Sequence, residues 1–142
     1  MKHILLFSFL LICTMPIIGQ ENGQLIVEVK AKNSKQKGKV VVMLFDQSEG
    51  FPKEIEKAYK TLTIDNFPGT STVTFTEVPF GKYAISIFWD KNKNGKIDTN
   101  FVGFPKESIG ASNMSSLGKP SFNKSAFQFK NDQQKLVVKF LN

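Results

Sequence analysis

Apolar and polar positions alternate with period two along several short stretches of this chain, the spacing of half-buried β-strands. Leu25, Val27, Val29 and Ala31 alternate with Ile26, Glu28, Lys30 and Lys32. The clearest run sets Tyr83, Ile85, Ile87 and Trp89 against Ala84, Ser86 and Phe88. Val40 to Asp46 is apolar on both faces, which predicts a central strand covered on each side. Threonine, valine and phenylalanine dominate Thr61 to Ile64 and Thr70 to Val78, which read as two more strands. Ala126, Phe127 and Phe129 mark another, and Leu136, Val138 and Phe140 mark the last. Polar or Pro/Gly turns separate them at Lys32 to Gly38, Asp65 to Gly69 and Pro79 to Gly81, and Lys130 to Gln134 predicts a hairpin. Pro52 to Lys60 is the only helix candidate, one or two turns with Ile55, Ala58 and Tyr59 on one face.

About seven short strands with regularly spaced turns and one short helix predict an all-β fold, an antiparallel sandwich in a single domain over 21–142. The core candidates are Phe75, Tyr83, Ile85, Ile87, Trp89, Phe127, Phe129 and the strand around Val41.

The first twenty residues follow a different rule. Met1-Lys2-His3 is a basic start, Ile4 to Ile18 is an uninterrupted apolar run apart from Thr14 and Ser8, and Gly19-Gln20 opens the polar chain. This is the layout of a secretory signal peptide over 1–20, cleaved after Gly19 or Gln20. The run falls short of the roughly 18 to 20 residues a spanning helix needs, so no transmembrane segment is expected in the mature chain. The protein is therefore expected to be exported, to the periplasm, the medium or the cell surface.

Export sharpens the composition. All 19 basic residues are lysine, the only histidine is His3 and the only cysteine is Cys13. The mature chain then has no His, Cys or Arg. That excludes His general-base chemistry, Ser-His-Asp and Cys-His sites, thiolate or imidazole zinc sites, and disulfides. Carboxylates, amides, hydroxyls, lysines and carbonyls remain, a donor set suited to hard cations. The net charge of +7 falls by one when Lys2 is removed. No nucleic-acid partner is expected, because the lysines are scattered and base and phosphate readers lean on arginine's bidentate fork.

Asp90 to Gly118 has no periodicity and is rich in Asn, Gly, Ser and Lys, a length at which a loop usually carries function. It begins with Asp90-Lys91-Asn92-Lys93-Asn94-Gly95-Lys96-Ile97-Asp98, the first half of a calcium loop. Oxygens at positions one, three and five converge on one side of a tightly turning backbone. A carbonyl at seven and a carboxylate at nine can close the shell. The candidate metal ligands are Asp90, Asn92, Asn94, the Lys96 carbonyl and Asp98. Phe101 stands where a helix–loop–helix calcium site has its bidentate Glu, and Glu107 is the candidate replacement. Lys91, Lys93 and Lys96 outnumber Asp90 and Asp98, so any calcium site belongs to the weak extracellular class of roughly 10⁻⁴ to 10⁻³ M. The alternative is a metal-free turn of Asx side chains with positive φ at Asn94-Gly95.

Ser121-Phe122-Asn123-Lys124 matches S-x-x-K, but neither S-D-N nor K-T-G accompanies it, and no catalytic residue is expected. Phe101, Phe104 and Phe122 flank the long loop, either as core anchors or as a sugar-stacking platform.

The order of these features resembles an exported bacterial family, domain of unknown function 2141. The resemblance is carried by Phe80-Gly81-Lys82-Tyr83-Ala84, the D-x-N-x-N-G-x-x-D loop, Thr99-Asn100-Phe101, Gly103-Phe104-Pro105-Lys106-Glu107, Gly110-Ala111-Ser112-Asn113 and Pro120-Ser121-Phe122. It implies a signal peptide and a small β-rich domain similar to transthyretin-like or carboxypeptidase regulatory-like sandwiches, and it implies no activity; the fold class expected is a transthyretin-like or Ig-like Greek key. Phe88-Trp89 stands where an aromatic-His pair is expected, and Ile109 and Ala111 where aromatics are expected. The function expected is a non-enzymatic binding or docking module of the cell envelope with a calcium-stabilised loop. Its expected partner is envelope polysaccharide or another envelope protein. The alternatives are a carboxylate-dependent hydrolase of envelope polymers, or a carrier of a small apolar ligand between the sheets.

Overall fold

A computed structural model describes residues 19, 21–31, 38–115 and 118–141. The apolar stretch read as a signal peptide, with His3 and Cys13, lies outside the described residues, as does most of the Lys32 to Gly38 turn. No helix among the described residues is long and apolar enough to cross a membrane.

Among the described residues there are eight strands: β1 (Asn22–Lys30), β2 (Lys39–Phe45), β3 (Lys60–Asp65), β4 (Thr70–Pro79), β5 (Gly81–Asp90), β6 (Ile109–Ala111), β7 (Phe127–Phe129) and β8 (Gln133–Lys139). They form two sheets, β4-β1-β8 and β3-β2-β5-β6, and β7 pairs with the start of β5. The all-β sandwich read from the sequence is the observed fold. Leu25, Val27 and Val29 of β1, with Phe75, Val78 and Val138, face Val40, Val42 and Leu44 of β2 and Tyr83, Ile85, Ile87 and Trp89 of β5 across one core. Phe75 and Val78 both point inward although three residues apart, because Glu77 at φ 52° makes a bulge between them. The Lys60 ammonium donates to the Thr76 and Glu77 carbonyls and holds it.

Four expectations need correction. First, β1 and β8 pair in parallel, so the sandwich is not purely antiparallel. Second, Lys130 to Gln134 is not a hairpin. β7 adds to β5 while β8 crosses to the other sheet and adds to β1. The crossing is fixed where the Gln24 amide donates to the Asp132 carbonyl at 2.7 Å. Gly23 permits that approach, since a Cβ there would stand 2.6 Å from the Asn131 oxygen. Third, the helix expected over Pro52 to Lys60 is a single 3₁₀ turn, Ile55–Lys57, after a bend at Ser48 to Lys53. A second single turn, α1 (Phe122–Ser125), occupies the S-x-x-K segment. Fourth, Phe127 is only partly buried at the core's margin.

The two-faced apolar character of β2 has a direct cause. Val41, Met43 and Phe45, with Ala84 and Phe88 of β5, form a second apolar cluster on the outer face of the larger sheet. Among the described residues, no third sheet covers it. Phe122 belongs to the cluster, and Phe51, Ile55, Ala58, Ile97, Ile109 and Ala126 pack over it. Phe51 packs edge-on against both Phe45 and Phe122, at 5.2 and 6.0 Å between ring centres.

Candidate functional site

The chain after β5 is therefore laid over an apolar sheet face, and that decides how its loop is built. Ala84, Ser86, Phe88 and Asp90 project to the outer face, so the alternation of β5 sets Asp90 beneath the loop, fully buried. A buried carboxylate needs donors. Its Oδ1 accepts the Asn94 amide at 3.1 Å, its Oδ2 accepts the Gly95 amide at 2.9 Å, and the Lys39 ammonium stands 3.7 Å away. Asn92 Oδ1 also accepts the Asn94 amide, at 3.1 Å, and Asn94 Oδ1 accepts the Lys96 amide at 2.9 Å. Positive φ angles fall at Lys93 and Gly95, 59° and 74°, rather than at Asn94 and Gly95 as expected.

The Asn92 and Asn94 side-chain amides both donate to Asp98, at 2.7 Å to Oδ2 and 3.1 Å to Oδ1. Positions three and five of the calcium pattern thus meet position nine through their amide nitrogens, while position one holds the Asn94 and Gly95 backbone amides. Lys96, at position seven, is exposed. Glu107 does fold back to this turn, but onto its backbone: Oε1 accepts the Lys91 amide at 3.0 Å and Oε2 accepts the Asp98 amide at 3.3 Å. Burial pushes its pKa above the usual glutamate range, against the two backbone hydrogen bonds that pull it down. Among the described residues, no three His, Cys, Asp or Glu side chains stand together as a metal cluster. Asp90, Asp98 and Glu107 brace one turn from separate sides.

Beyond Asp98 the chain makes a tight tip. Thr99 bridges to Pro105, and Asn100 Oδ1 accepts the Val102 and Phe104 amides at 3.0 and 2.9 Å. With its backbone tied inside, the tip turns its apolar side chains out. Phe101 is fully exposed, and Val102 and Phe104 are 61% and 66% exposed. Of the three phenylalanines flanking the loop, only Phe122 is an anchor. The loop then re-enters the sheet as β6, a three-residue strand that the sequence pattern does not reveal. Gly110 is its key position, where a Cβ would stand 2.2 Å from the Lys139 carbonyl oxygen. Ser112 locks the exit. Its Oγ accepts the Ile85 amide at 2.9 Å and donates to the Ser125 carbonyl at 2.6 Å.

Between the tip, the bend at Pro52-Lys53 and the segment at Gly118 to Pro120 lies a cleft of about 670 Å³. Its lining is mainly apolar, and Glu107 is its only carboxylate among the described residues. Ser121 and Lys124 stand outside it, both exposed.

The residues that carry the resemblance, from Phe80 to Phe122, build this face. Residues 26–137 match the bacterial family described as "Uncharacterized protein conserved in bacteria (DUF2141)". The chain belongs to that family. No curated protein and no solved structure matches it. The DUF2141 domain therefore spans both sheets and the whole 90–118 region, and its family description assigns no function.

Proposed function

We propose that this DUF2141 protein is an exported, non-enzymatic binding module of the cell envelope, with its 98–107 tip as the docking surface. One observation carries this: three buried or half-buried carboxylate side chains and Asn100 spend their hydrogen bonds on holding the loop, while Phe101, Val102 and Phe104 are presented to solvent. Rigid display of apolar side chains from a tied backbone suits recognition. The inter-sheet core is filled by side chains such as Trp89, Phe75 and Phe129, which speaks against a carrier that holds its ligand there. The cleft has one carboxylate rather than the pair a glycan hydrolase uses, which speaks against the hydrolase.

Calcium completes the proposal, held by Asp90, Asn92, Asn94, the Lys96 carbonyl and Asp98, with Glu107 bracing the turn. The D-x-N-x-N-G-x-x-D spacing, which sets Asn92 and Asn94 within reach of Asp98, supports it; on binding, both side-chain amides turn their oxygens from the backbone to the ion. With a Kd of about 0.3 mM, 10 mM calcium adds roughly 2 kcal/mol, about 6 to 10 °C in Tm, and magnesium much less. Asp90→Ala removes the shift. A melting curve that does not move between chelator and calcium leaves the loop as a self-sufficient Asx turn.

The docking surface is tested by sedimentation with washed bacterial envelopes. A chain begun at Glu21 keeps every strand and core side chain described, and serves for this. It is expected to co-sediment, and Phe101→Ser with Phe104→Ser to weaken retention about tenfold, as loss of central apolar contacts does. Retention unchanged by these substitutions, or glycan or ester turnover that vanishes in Asp90→Asn or Ser121→Ala, overturns the proposal.

A further inference from the structure

The cleft beside the tip has a composition that selects a ligand. Ile97, Val102, Phe104, Ile109, Pro120 and Leu141 line it. Ile97 and Ile109 also belong to the apolar layer over the outer sheet face, so the cleft floor continues that layer. At about 670 Å³ it lies inside the roughly 300 to 1,000 Å³ range of small-molecule sites. Its charged groups are unevenly committed. Glu107 has both oxygens occupied by backbone amides. Lys53 and Lys119 line the same cleft, are exposed, and have no carboxylate partner among the described residues. The free charge around an apolar slot is therefore positive. With no arginine in the chain, the recognition is of a point charge rather than a planar fork.

We infer that the cleft binds one small anionic amphiphile, an unbranched acyl or alkyl chain ending in a carboxylate or similar monoanion. The tail lies along Ile97, Ile109 and Leu141 under the Val102–Phe104 lip, and the head meets Lys53 and Lys119. This rests on the reading of the loop as a binding surface and names what that surface takes. The tail supplies affinity by leaving water, and the lysine pair supplies the choice of head group.

The test is calorimetry on the chain begun at Glu21, with monomeric dodecanoate and with dodecyltrimethylammonium as a tail-matched cation. Dodecanoate is expected to bind one per chain, about tenfold more tightly than the cation, a margin within reach of two partly solvated lysines. Lys53→Glu with Lys119→Glu should abolish or reverse that preference. Val102→Asp with Phe104→Asp should abolish dodecanoate binding with Tm unchanged, since both side chains are exposed. Equal binding of the two amphiphiles, several dodecanoates per chain, or binding indifferent to the Val102 and Phe104 changes overturns the inference. So does sedimentation with phosphatidylglycerol vesicles in the absence of dodecanoate binding, which assigns the face to a membrane surface. Failure with dodecanoate while envelope retention still depends on Phe101 and Phe104 overturns the cleft assignment and leaves the docking proposal standing.

Discussion

The two faces of the β2–β5 pair are closed in opposite ways. On the inner face, Val40, Val42, Leu44, Ile85, Ile87 and Trp89 meet a second sheet, and apolar contact supplies the closure. On the outer face, Val41, Met43, Phe45, Ala84 and Phe88 meet loops. Loops bring unpaired backbone groups, so that side is closed by hydrogen bonds as much as by burial. Ser86 Oγ donates to the Pro52 carbonyl, Ser112 ties Ile85 to Ser125, and Asp90 and Glu107 each take two backbone amides. A sheet covers a surface completely, whereas loops leave a gap at their junction. The cleft is that gap, so the same two strands carry a sealed core on one side and a candidate site on the other.

If the inner face is closed by packing, the largest loss should follow a cavity there. Trp89→Ala is expected to cost about 4 kcal/mol, since it removes a fully buried ring that packs edge-on against Phe67 and tilted against Phe140. Trp89→Phe should cost clearly less, because Trp89 Nε1 has no hydrogen-bond partner to lose. Denaturant unfolding of both variants checks the order, and equal losses would break the packing account of this face.

If the outer face is closed by polar ties, removing one should cost about as much as a buried unsatisfied group. Asp90→Ala strands the Gly95 amide, leaves the Asn94 amide to Asn92 Oδ1 alone, and is expected to cost about 2 to 3 kcal/mol. Amide exchange should rise across 91–98 and stay slow in β1 and β2. A loss spread evenly over both sheets would show that the two faces are not separable.

A finer division runs through the carboxylates themselves. Glu107→Gln puts a donor against one of two backbone amides and should cost about 1 to 2 kcal/mol. By carbon-detected titration, Glu107 should have its midpoint above the usual glutamate range because it is desolvated. Glu28, paired with Lys30 and Lys135, and Glu49, paired with Lys57, should have theirs below it. A raised folded-state pKa means that Glu107's contribution is present below its unfolded value and is lost as pH rises through its folded value. In Glu107→Gln that fall in stability should disappear, and a Glu107 midpoint at or below that of Glu49 would contradict its burial.

The smallest effect belongs to the tip. Phe101→Ser should change stability by less than about 0.5 kcal/mol, because the ring is fully exposed. A larger loss, measured by denaturant unfolding, would mean that the ring packs on the loop after all and is not displayed.

How much was legible before the fold was known follows from the range of the interactions. Period-two alternation is local, so β1, β2, β4 and β5 and most of their inward residues could be read directly from the sequence. So could the Asp90–Asp98 turn, whose hydrogen bonds join residues within six positions of one another. The absence of arginine anywhere in the chain, and of cysteine and histidine beyond the first thirteen residues, likewise limited the available chemistry. Choices between distant partners were not legible. Whether β8 pairs with β7 or crosses to β1 depends on Gly23 meeting Asn131 and Asp132, more than a hundred residues away. That Ile109–Ala111 forms a strand depends on the free edge of β5 and on Gly110 fitting against Lys139, since three residues carry no period. Phe122 is buried while Phe101 and Phe104 are exposed, though all three are phenylalanines in Gly/Ser/Asn-rich chain. Only the position of each backbone relative to the outer face of β2 and β5 separates them. Local patterning determined the strands and the turn. The cleft, the exposed tip and the inward turn of Glu107 were decided by which surfaces the sandwich left for its loops to cover.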